Sequence, residues 1–225
     1  MKYVPIMEKI DLPARAELLQ WDPKALITSE EKTFHKRVVE VYLRAEAEDS
    51  QVILLSGPTS SGKTTASRIL AEGLGRNGHK ACRISLDDFY KDRKYTPLWE
   101  DGQKNFETID GLDLDTLGQC MEDLLTKGHT KMPIFDFTTG SRSTFTRDLT
   151  FDEDTCLIFE GLHALNPRIA PLVEKFRILR LYISVHSDYV DHSGKVLLAG
   201  RELRLLRRLL RDRVRRNTEA EETLR

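Results

Sequence analysis

Hydrophobic positions along this chain of 225 residues follow two patterns. Short continuous apolar runs predict buried strands, while apolar residues three or four positions apart predict helices. The predicted strands are 52–55, 81–85, 132–137, 155–159 and 179–185, and the predicted helices are 65–74, 114–125 and 201–216. Because strands and helices alternate, we expect a three-layer α/β/α fold around a parallel central sheet.

The first fifty residues predict a helical lead-in to this fold. Thr28-Ser29-Glu30-Glu31 has the form of a capping box, and Phe34, Val38 and Val41 follow it at helical spacing. Gly73, Gly75 and Gly78 are expected to end the helix at 65–74 and to turn the chain. The length allows one sizeable core with an appendage, so we expect a lead-in at 1–50 and one domain at 51–225.

Composition excludes some classes of protein. The formal net charge of −1 gives no general attraction to nucleic acid, and no apolar run approaches the roughly 20 residues that cross a membrane. Cys82, Cys120 and Cys156 lack the spacing of a metal or redox motif, so we expect reduced thiols in a cytoplasmic protein. The sequence leaves the oligomeric state open, a homo-oligomer included.

The most informative motif is a GxxxxGK[ST] loop that directly follows the strand at 52–55. Such a loop surrounds phosphate oxygens with backbone N–H groups at the start of the next helix. Lys63 is expected to reach the β- and γ-phosphates of ATP, and the Thr64 hydroxyl to ligate Mg²⁺. The predicted nucleotide-binding residues of this region are Gly57, Pro58, Thr59, Ser60, Ser61, Gly62, Lys63, Thr64 and Thr65.

Acidic residues follow two of the predicted strands. Glu160 comes directly after 155–159 and would lie beside the loop, within reach of Mg²⁺; the alternative is a surface glutamate. Asp87 follows 81–85 and could orient a substrate hydroxyl and accept its proton. The pair Asp87-Asp88 could instead cap a helix.

The stretch 201–216 carries eight arginines and two acidic residues, with Leu203, Leu206, Leu210 and Val214 on one face. It could be a basic helix for nucleic acid or an acidic membrane, an arginine-bearing lid over phosphates, or a solvated helix. Beside a phosphate-binding loop the lid is favoured, because phosphoryl transfer needs positive charge around the transition state. The lid is placed at about 194–218.

Taken together, these blocks resemble the uridine kinase and phosphoribulokinase group of P-loop small-molecule kinases. The resemblance covers about 52–218 and rests on blocks in the family's order, which are 57–64, 85–90, 105–110, 133–137 with Arg142, 158–165 and 207–212. It implies an ATP- and Mg²⁺-dependent kinase whose phosphoryl acceptor is a hydroxyl of a nucleoside or a related sugar.

Roles for individual residues follow from the same resemblance. Asp87 matches the family's catalytic base, and Glu160 matches the acidic residue near Mg²⁺. The residues similar to the family's substrate pocket are Tyr90, Asp110, Phe135, Phe137 and Arg142. Arg208, Arg211 and Arg216 fall on the lid, where the family uses arginines to contact phosphates.

The sequence departs from the family in three respects that matter. In the lid, Thr218 stands where uridine kinases typically carry a further arginine after a glycine, and it cannot replace that charge. Gly140 stands where uridine kinases place a histidine that reads the pyrimidine, so the acceptor is left open. The chain also stops before the family's C-terminal helix and strand. The segment 159–165 and the lid most resemble a bacterial subgroup, in which the kinase domain follows domains similar to the N-terminal part of threonyl-tRNA synthetase.

Two other functions compete with the nucleoside kinase. A phosphoribulokinase-like enzyme would need a second anion site, which Arg142, Arg147 or Arg168 could supply. A non-catalytic module for nucleotide or RNA would use the arginine helix as its contact surface, but it would have no need for Asp87.

Overall fold

The computed structural model describes residues 8–76, 78–185, 187–216 and 219–224. The strands are β1 (Glu8–Asp11), β2 (Val52–Ser56), β3 (Lys80–Ser85), β4 (His129–Asp136), β5 (Ser141–Thr150), β6 (Thr155–Glu160), β7 (Ile178–Tyr182), β8 (Ser187–Val190) and β9 (Val196–Leu198). The helices are α1 (Leu12–Trp21), α2 (Pro23–Ala47), α3 (Lys63–Arg76), α4 (Leu114–Lys127), α5 (Ala170–Val173), α6 (Gly200–Arg216) and α7 (Ala220–Leu224).

The chain divides into two compact units. One, here called the sheet unit, comprises Val38–Gly57 and Lys63–Tyr182, and the other comprises Met1–Arg37, Pro58–Gly62 and Ile183–Arg225. The predicted division into a lead-in at 1–50 and a domain at 51–225 stays a prediction.

The sheet unit is built on four described strands in the order β3-β6-β2-β7, all parallel. Glu160, the last residue of β6, pairs in register with Leu55 on one side and Ser85 on the other. Parallel strands end at the same edge of a sheet, so the segments that follow β2, β3 and β6 start side by side. The predicted α/β fold with a parallel central sheet is confirmed.

Helices cover both faces of this sheet. Val52 and Leu54 belong to a buried cluster with Leu117 and Met121 of α4. Because successive side chains of a strand point to opposite faces, the intervening buried residues face the other layer, which contains α3. Strands buried on both faces read as continuous apolar runs, which is why β2 and β6 were predictable from the sequence.

An antiparallel hairpin of β4 and β5 extends the sheet unit. The sequence predicted β4 as a short extended stretch at 132–137 and gave no sign of β5. The reason lies in the exposure of β5, in which Leu149 is the buried position, the apolar Phe145 is exposed and the other residues are polar. Without alternating apolar side chains, a strand of this kind leaves no pattern in the sequence.

Two expectations about the N-terminal region are corrected. The stretch 28–31 does not begin a helix but lies within α2, whose first turn is closed by Asp22 Oδ1 accepting from the Ala25 N–H at 2.8 Å. Glu8–Asp11 is a strand that pairs in parallel with β8 rather than part of a helix. Strand β8 also pairs with β9 in antiparallel fashion.

The expected helix end at Gly73 and Gly75 is also wrong, because both residues lie inside α3, which ends at Arg76. A Cβ placed on Gly73 would lie 3.8 Å from the ring of Tyr42 in α2. Gly78, with φ of +91°, is the residue that turns the chain.

The N-terminus of α4 offers a test of stability. Asp113 caps the helix by accepting from the Thr116 N–H at 3.0 Å, and it pairs with Arg142 at 2.9 Å. Although partial burial opposes it, these contacts hold the pKa of Asp113 below its usual value. We expect Asp113→Ala to lower the unfolding free energy by about 1–2 kcal/mol, measured by urea denaturation at pH 7. Asp115→Ala, which changes an exposed acid in the same turn, should cost less than half as much; equal losses would contradict the capping role.

Candidate active site

The loop at 57–64 contains residues in the left-handed backbone conformation that a tight phosphate-binding turn needs. Gly62 has φ of +101° and Ser60 has φ of +63°, both in the left-handed region. Glycine adopts this region without a Cβ clash, and such turns point successive N–H groups toward a bound anion. The loop is closed on itself by a hydrogen bond of 3.2 Å from the Ser61 N–H to the Pro58 carbonyl.

Lys63 is the first residue of α3, and its Nζ donates to the Gly57 carbonyl at 2.7 Å. This bond ties the end of the loop to its beginning and holds the ammonium group at the N-terminus of α3. Thr65 lies exposed in the first turn of the same helix.

Glu160 lies at the carboxyl end of β6 and is only 7% exposed, so the alternative of a solvated surface glutamate is wrong. Its Oε2 accepts from the Thr64 hydroxyl at 3.0 Å, and its Oε1 lies 3.5 Å from Nη2 of Arg83. Arg83 is itself oriented by a bond of 3.1 Å to the Ser67 hydroxyl. A hydroxyl and a carboxylate in contact are hard oxygen donors of the kind that Mg²⁺ takes together with water and phosphate. These residues therefore fit a magnesium ion.

Asp87 lies in a 3₁₀ turn, Leu86–Phe89, that follows β3 directly. The residue that caps this turn is Ser85, whose hydroxyl accepts from the Asp87 N–H at 3.3 Å, so the alternative that the aspartates are the cap is wrong. Ser85 pairs directly with Glu160 in the sheet, and Asp87 comes two residues after Ser85. Asp87 therefore lies close to Glu160 along the edge of the sheet.

A close backbone approach fixes the spacing between these two segments. A Cβ on Gly161, the residue after Glu160, would lie 2.8 Å from Cβ of the buried Leu86. Glycine at 161 thus lets the segment after β6 pass directly against the turn that carries Asp87. The structure therefore brings Thr64, Glu160 and Asp87 to one edge of the sheet.

Aromatic side chains line the region beyond Asp87. Tyr90 packs edge-on against Phe135 with ring centroids 6.0 Å apart, and Phe135 packs against Phe137 at 5.1 Å. Burial, reinforced by the charge of Asp87, raises the pKa of Tyr90, so its hydroxyl stays protonated and donates to the Phe106 carbonyl at 2.9 Å. Asp88 supports this wall by accepting from the Phe135 N–H at 3.3 Å.

Asp110 stands next to the same wall, because a Cβ on the following Gly111 would meet the Tyr90 ring at 3.3 Å. Its carboxylate accepts from Arg168 Nη1 at 2.5 Å, and this bond holds the pKa of Asp110 below its usual value. Sequence reasoning named Arg168 only for a second anion site and missed this pair. The two residues are 58 positions apart, and no local pattern joins them.

Arg142, which the sequence assigned to the substrate pocket, forms its side-chain hydrogen bonds with residues outside the predicted pocket. Its Nη2 donates to Asp113 at 2.9 Å and its Nη1 to the Thr116 hydroxyl at 3.3 Å, while its backbone N–H donates to Asp92 at 3.1 Å. These bonds join β5 to the start of α4. A substrate contact by Arg142 stays a prediction.

His163 lies three residues after Glu160. In the described part of the chain its Nε2 is buried and has no hydrogen-bond partner. Burial lowers the pKa of His163 below its usual 6.5, so the ring is neutral at pH 7.

A pH dependence follows from His163. The unfolded chain binds the proton more readily than the folded one, so folding stability should fall as the pH drops through 6.5. We expect His163→Asn to flatten the profile of the denaturation midpoint between pH 7 and about pH 5.5. His129→Asn, which changes an exposed histidine of the same unit, is the matched control. An unchanged profile in His163→Asn would contradict this assignment.

The predicted lid arginines form contacts within α6. Arg211 donates to Asp212 Oδ1 through Nε at 2.9 Å and Nη2 at 2.7 Å, and Arg208 Nε lies 3.7 Å from Asp212 Oδ2. The Asp212 side chain, which is only 6% exposed, orients the Arg211 guanidinium through these two bonds. The Arg216 side chain and residues 217 and 218 lie outside the described residues. The phosphate-binding roles of these arginines stay predictions.

Two features are absent from the described residues, a ready-made cluster of metal ligands and a membrane span. No three His, Cys, Asp or Glu side chains there gather as metal ligands. None of the described helices combines the length and the apolar character that crossing a membrane requires.

Comparison with known proteins extends this picture. The profile of the phosphoribulokinase/uridine kinase family matches residues 52–224. A uridine kinase of Staphylococcus haemolyticus is 26% identical over 177 residues, which cover 78% of this chain and 75% of that protein. A uridine kinase of Staphylococcus aureus is 27% identical over 161 residues, which cover 72% and 68%. The structure of a candidate fructose transport system kinase from Silicibacter has a TM-score of 0.53 at 19% identity, covers 78% of this chain and 77% of that one, and supports the fold alone.

Proposed function

Because this chain belongs to the phosphoribulokinase/uridine kinase family, it is a P-loop kinase that uses ATP, and we propose that it phosphorylates a hydroxyl of a nucleoside or a related ribose or pentose compound. The observation that carries the proposal is the position of Asp87 at the same sheet edge as the Thr64–Glu160 pair. A protein that only bound nucleotides would have no use for this second carboxylate.

Each residue has a task in the proposed reaction. The 57–64 loop and Lys63 hold the phosphates, and Lys63 exchanges its bond with Gly57 for one with the γ-phosphate. Thr64 and Glu160 hold Mg²⁺, which when bound neutralises phosphate charge. Asp87 orients the acceptor hydroxyl and takes its proton. The oxygen then bonds to the γ-phosphorus as the bond to the β–γ bridging oxygen breaks, and ADP leaves.

The acceptor site is assigned to Tyr90, Phe135 and Phe137, with Asp110 at its side. The aromatic rings offer an apolar wall for a planar or sugar-like group. The exposed Asp110 carboxylate has lone pairs for sugar hydroxyls, and its bond with Arg168 holds its pKa below the usual value. Arg142 and Arg168 already pair with carboxylates, which argues against their forming the second anion site of a phosphoribulokinase-like enzyme. The resemblance of 159–165 and the lid to the bacterial subgroup, in which the kinase domain follows threonyl-tRNA-synthetase-like domains, stays a prediction.

The test is ATP consumption by the whole chain in the presence of Mg²⁺ and a panel of nucleosides and pentoses. At least one alcohol should raise ADP production well above the rate with water alone, and a phosphorylated product should accumulate in equal amount. No stimulation by any member of the panel, from protein shown to be folded and to bind ATP, would refute the proposal.

A further inference from the structure

The Arg93 side chain fills the space next to Gly140 that a side chain at position 140 would occupy. Gly140 has φ of +69°, and a Cβ at this position would lie 2.3 Å from Cδ and 2.8 Å from Nε of Arg93. Any residue other than glycine would have to adopt a left-handed backbone and displace Arg93 as well. Glycine at 140 therefore suits the left-handed backbone and also leaves the space that the Arg93 side chain occupies.

Further bonds fix Arg93 relative to the aromatic wall. Its backbone N–H donates to the Gly140 carbonyl at 2.8 Å, and its Nη2 donates to the Phe137 carbonyl at 2.8 Å. Phe137 packs on Phe135, which packs on Tyr90. The guanidinium group of the exposed Arg93 is thus held at the backbone of Phe137, whose ring belongs to the row assigned to the acceptor.

The chemistry of this group limits what it can recognise. A guanidinium has five N–H donors in a rigid plane and no acceptor, and the Phe137 carbonyl engages one of its nitrogens. The remaining donors suit an oxygen that only accepts, such as a base carbonyl, a carboxylate or a phosphate. A sugar hydroxyl would gain much less from it.

We propose that Arg93 is a specificity-determining residue that donates to an acceptor-only oxygen of the substrate, and that Gly140 makes room for it. This inference rests on the proposed acceptor site but not on turnover. In this proposal, the part of the substrate that lies away from the reacting hydroxyl is recognised by Arg93, on the segment after Tyr90. The Phe135–Phe137 pair then lies between Arg93 and Tyr90.

The test measures binding rather than catalysis, with four probes that share one sugar. D-ribose lacks an acceptor-only group, while uridine, D-ribonate and D-ribose 5-phosphate add a base carbonyl, a carboxylate and a phosphate. Isothermal titration would compare wild type with Arg93→Met, Arg93→Lys and Gly140→Ala, the last of which displaces Arg93 without removing it. Lys94→Met changes a neighbouring exposed cation in the same 3₁₀ turn and is the matched control.

We expect wild type to bind one of the three substituted probes at least about tenfold more tightly than D-ribose. Arg93→Met and Gly140→Ala should lose most of this preference, Arg93→Lys should keep part of it, and Lys94→Met should keep it all. The affinities of these variants for D-ribose and for ATP should stay within about twofold of wild type.

Several results would overturn the role of Arg93. The first is a wild type that does not prefer any substituted probe to D-ribose. The second is an Arg93→Met variant that keeps the preference. The third is an Arg93→Met variant that loses as much affinity for D-ribose as for the preferred probe, which would indicate a packing role. Failure of the proposed function looks different. In that case the Arg93-dependent preference is found, yet no alcohol stimulates ATP consumption.

Discussion

Asp87→Asn should lower the kcat of acceptor-dependent ATP consumption by about 10²- to 10⁴-fold, the range for loss of a positioned general base. The amide keeps the size of the side chain but cannot take the proton from the attacking hydroxyl. Because Asp87 is assigned to the acceptor and not to the nucleotide, the KM for ATP should change little. The measurement is steady-state ADP release with the best alcohol from the panel.

Asp88→Asn is the matched control for this substitution. Asp88 has the same chemistry one position later, but its Oδ1 accepts from the Phe135 N–H, and an amide oxygen can keep that bond. We expect its kcat to stay within a few-fold of wild type. Equal activity of Asp87→Asn and wild type would remove Asp87 as the base, and equal losses in both variants would point to a disturbed turn instead.

Glu160→Gln should raise the Mg²⁺ concentration needed for half-maximal activity by at least about 10- to 100-fold, since a change of this size follows even when only a group that orients a metal ligand is altered. The substitution removes the negative charge that Thr64 and Arg83 contact, while the size of the side chain is kept. Its effect should be larger at low Mg²⁺ and should fade as Mg²⁺ is raised. The measurement is a magnesium titration of initial rates at saturating ATP.

Variants of Thr64 separate the metal role from packing. Thr64→Val removes the hydroxyl at nearly constant volume and should shift the magnesium titration in the same direction. Thr64→Ser keeps the hydroxyl and should shift it little. A Glu160→Gln variant with a magnesium titration like that of wild type would contradict the metal site, whatever its effect on kcat.

The parts of the molecule that were predictable share a local origin. Strand β2, the loop at 57–64 and the start of α3 are contiguous, so one motif with its flanking apolar run predicts all three. Glu160 could be placed because β6 is buried on both faces and reads as a continuous apolar run that ends at a charge. The parallel sheet then predicts that Glu160 and the loop lie at the same edge, and the pairing of β6 with β2 in the structure makes them neighbours.

The parts that were not predictable depend on contacts between distant segments. The pairing of Arg168 with Asp110 and the packing of Arg93 on Gly140 join residues 58 and 47 positions apart, and each partner looks like an ordinary surface residue in its own segment. Strand β5 could not be predicted from the sequence, because it pairs with β4 through its backbone while its side chains stay largely exposed. Gly73 was misread as a helix end because a glycine inside a helix looks, in the sequence, the same as one that ends it.

The contact between Gly161 and Leu86 has a consequence for how this kinase could change its substrate. In this contact the segment that directly follows Glu160 packs against the turn that bears Asp87, with no room for a Cβ at position 161. The residues assigned to the acceptor follow later, from Tyr90 to Gly140, and contribute nothing to that contact. We therefore expect substitutions around Arg93 and Phe137 to change which alcohol is accepted. The spacing between the segments that carry Glu160 and Asp87, across which the phosphoryl group is transferred, should stay the same.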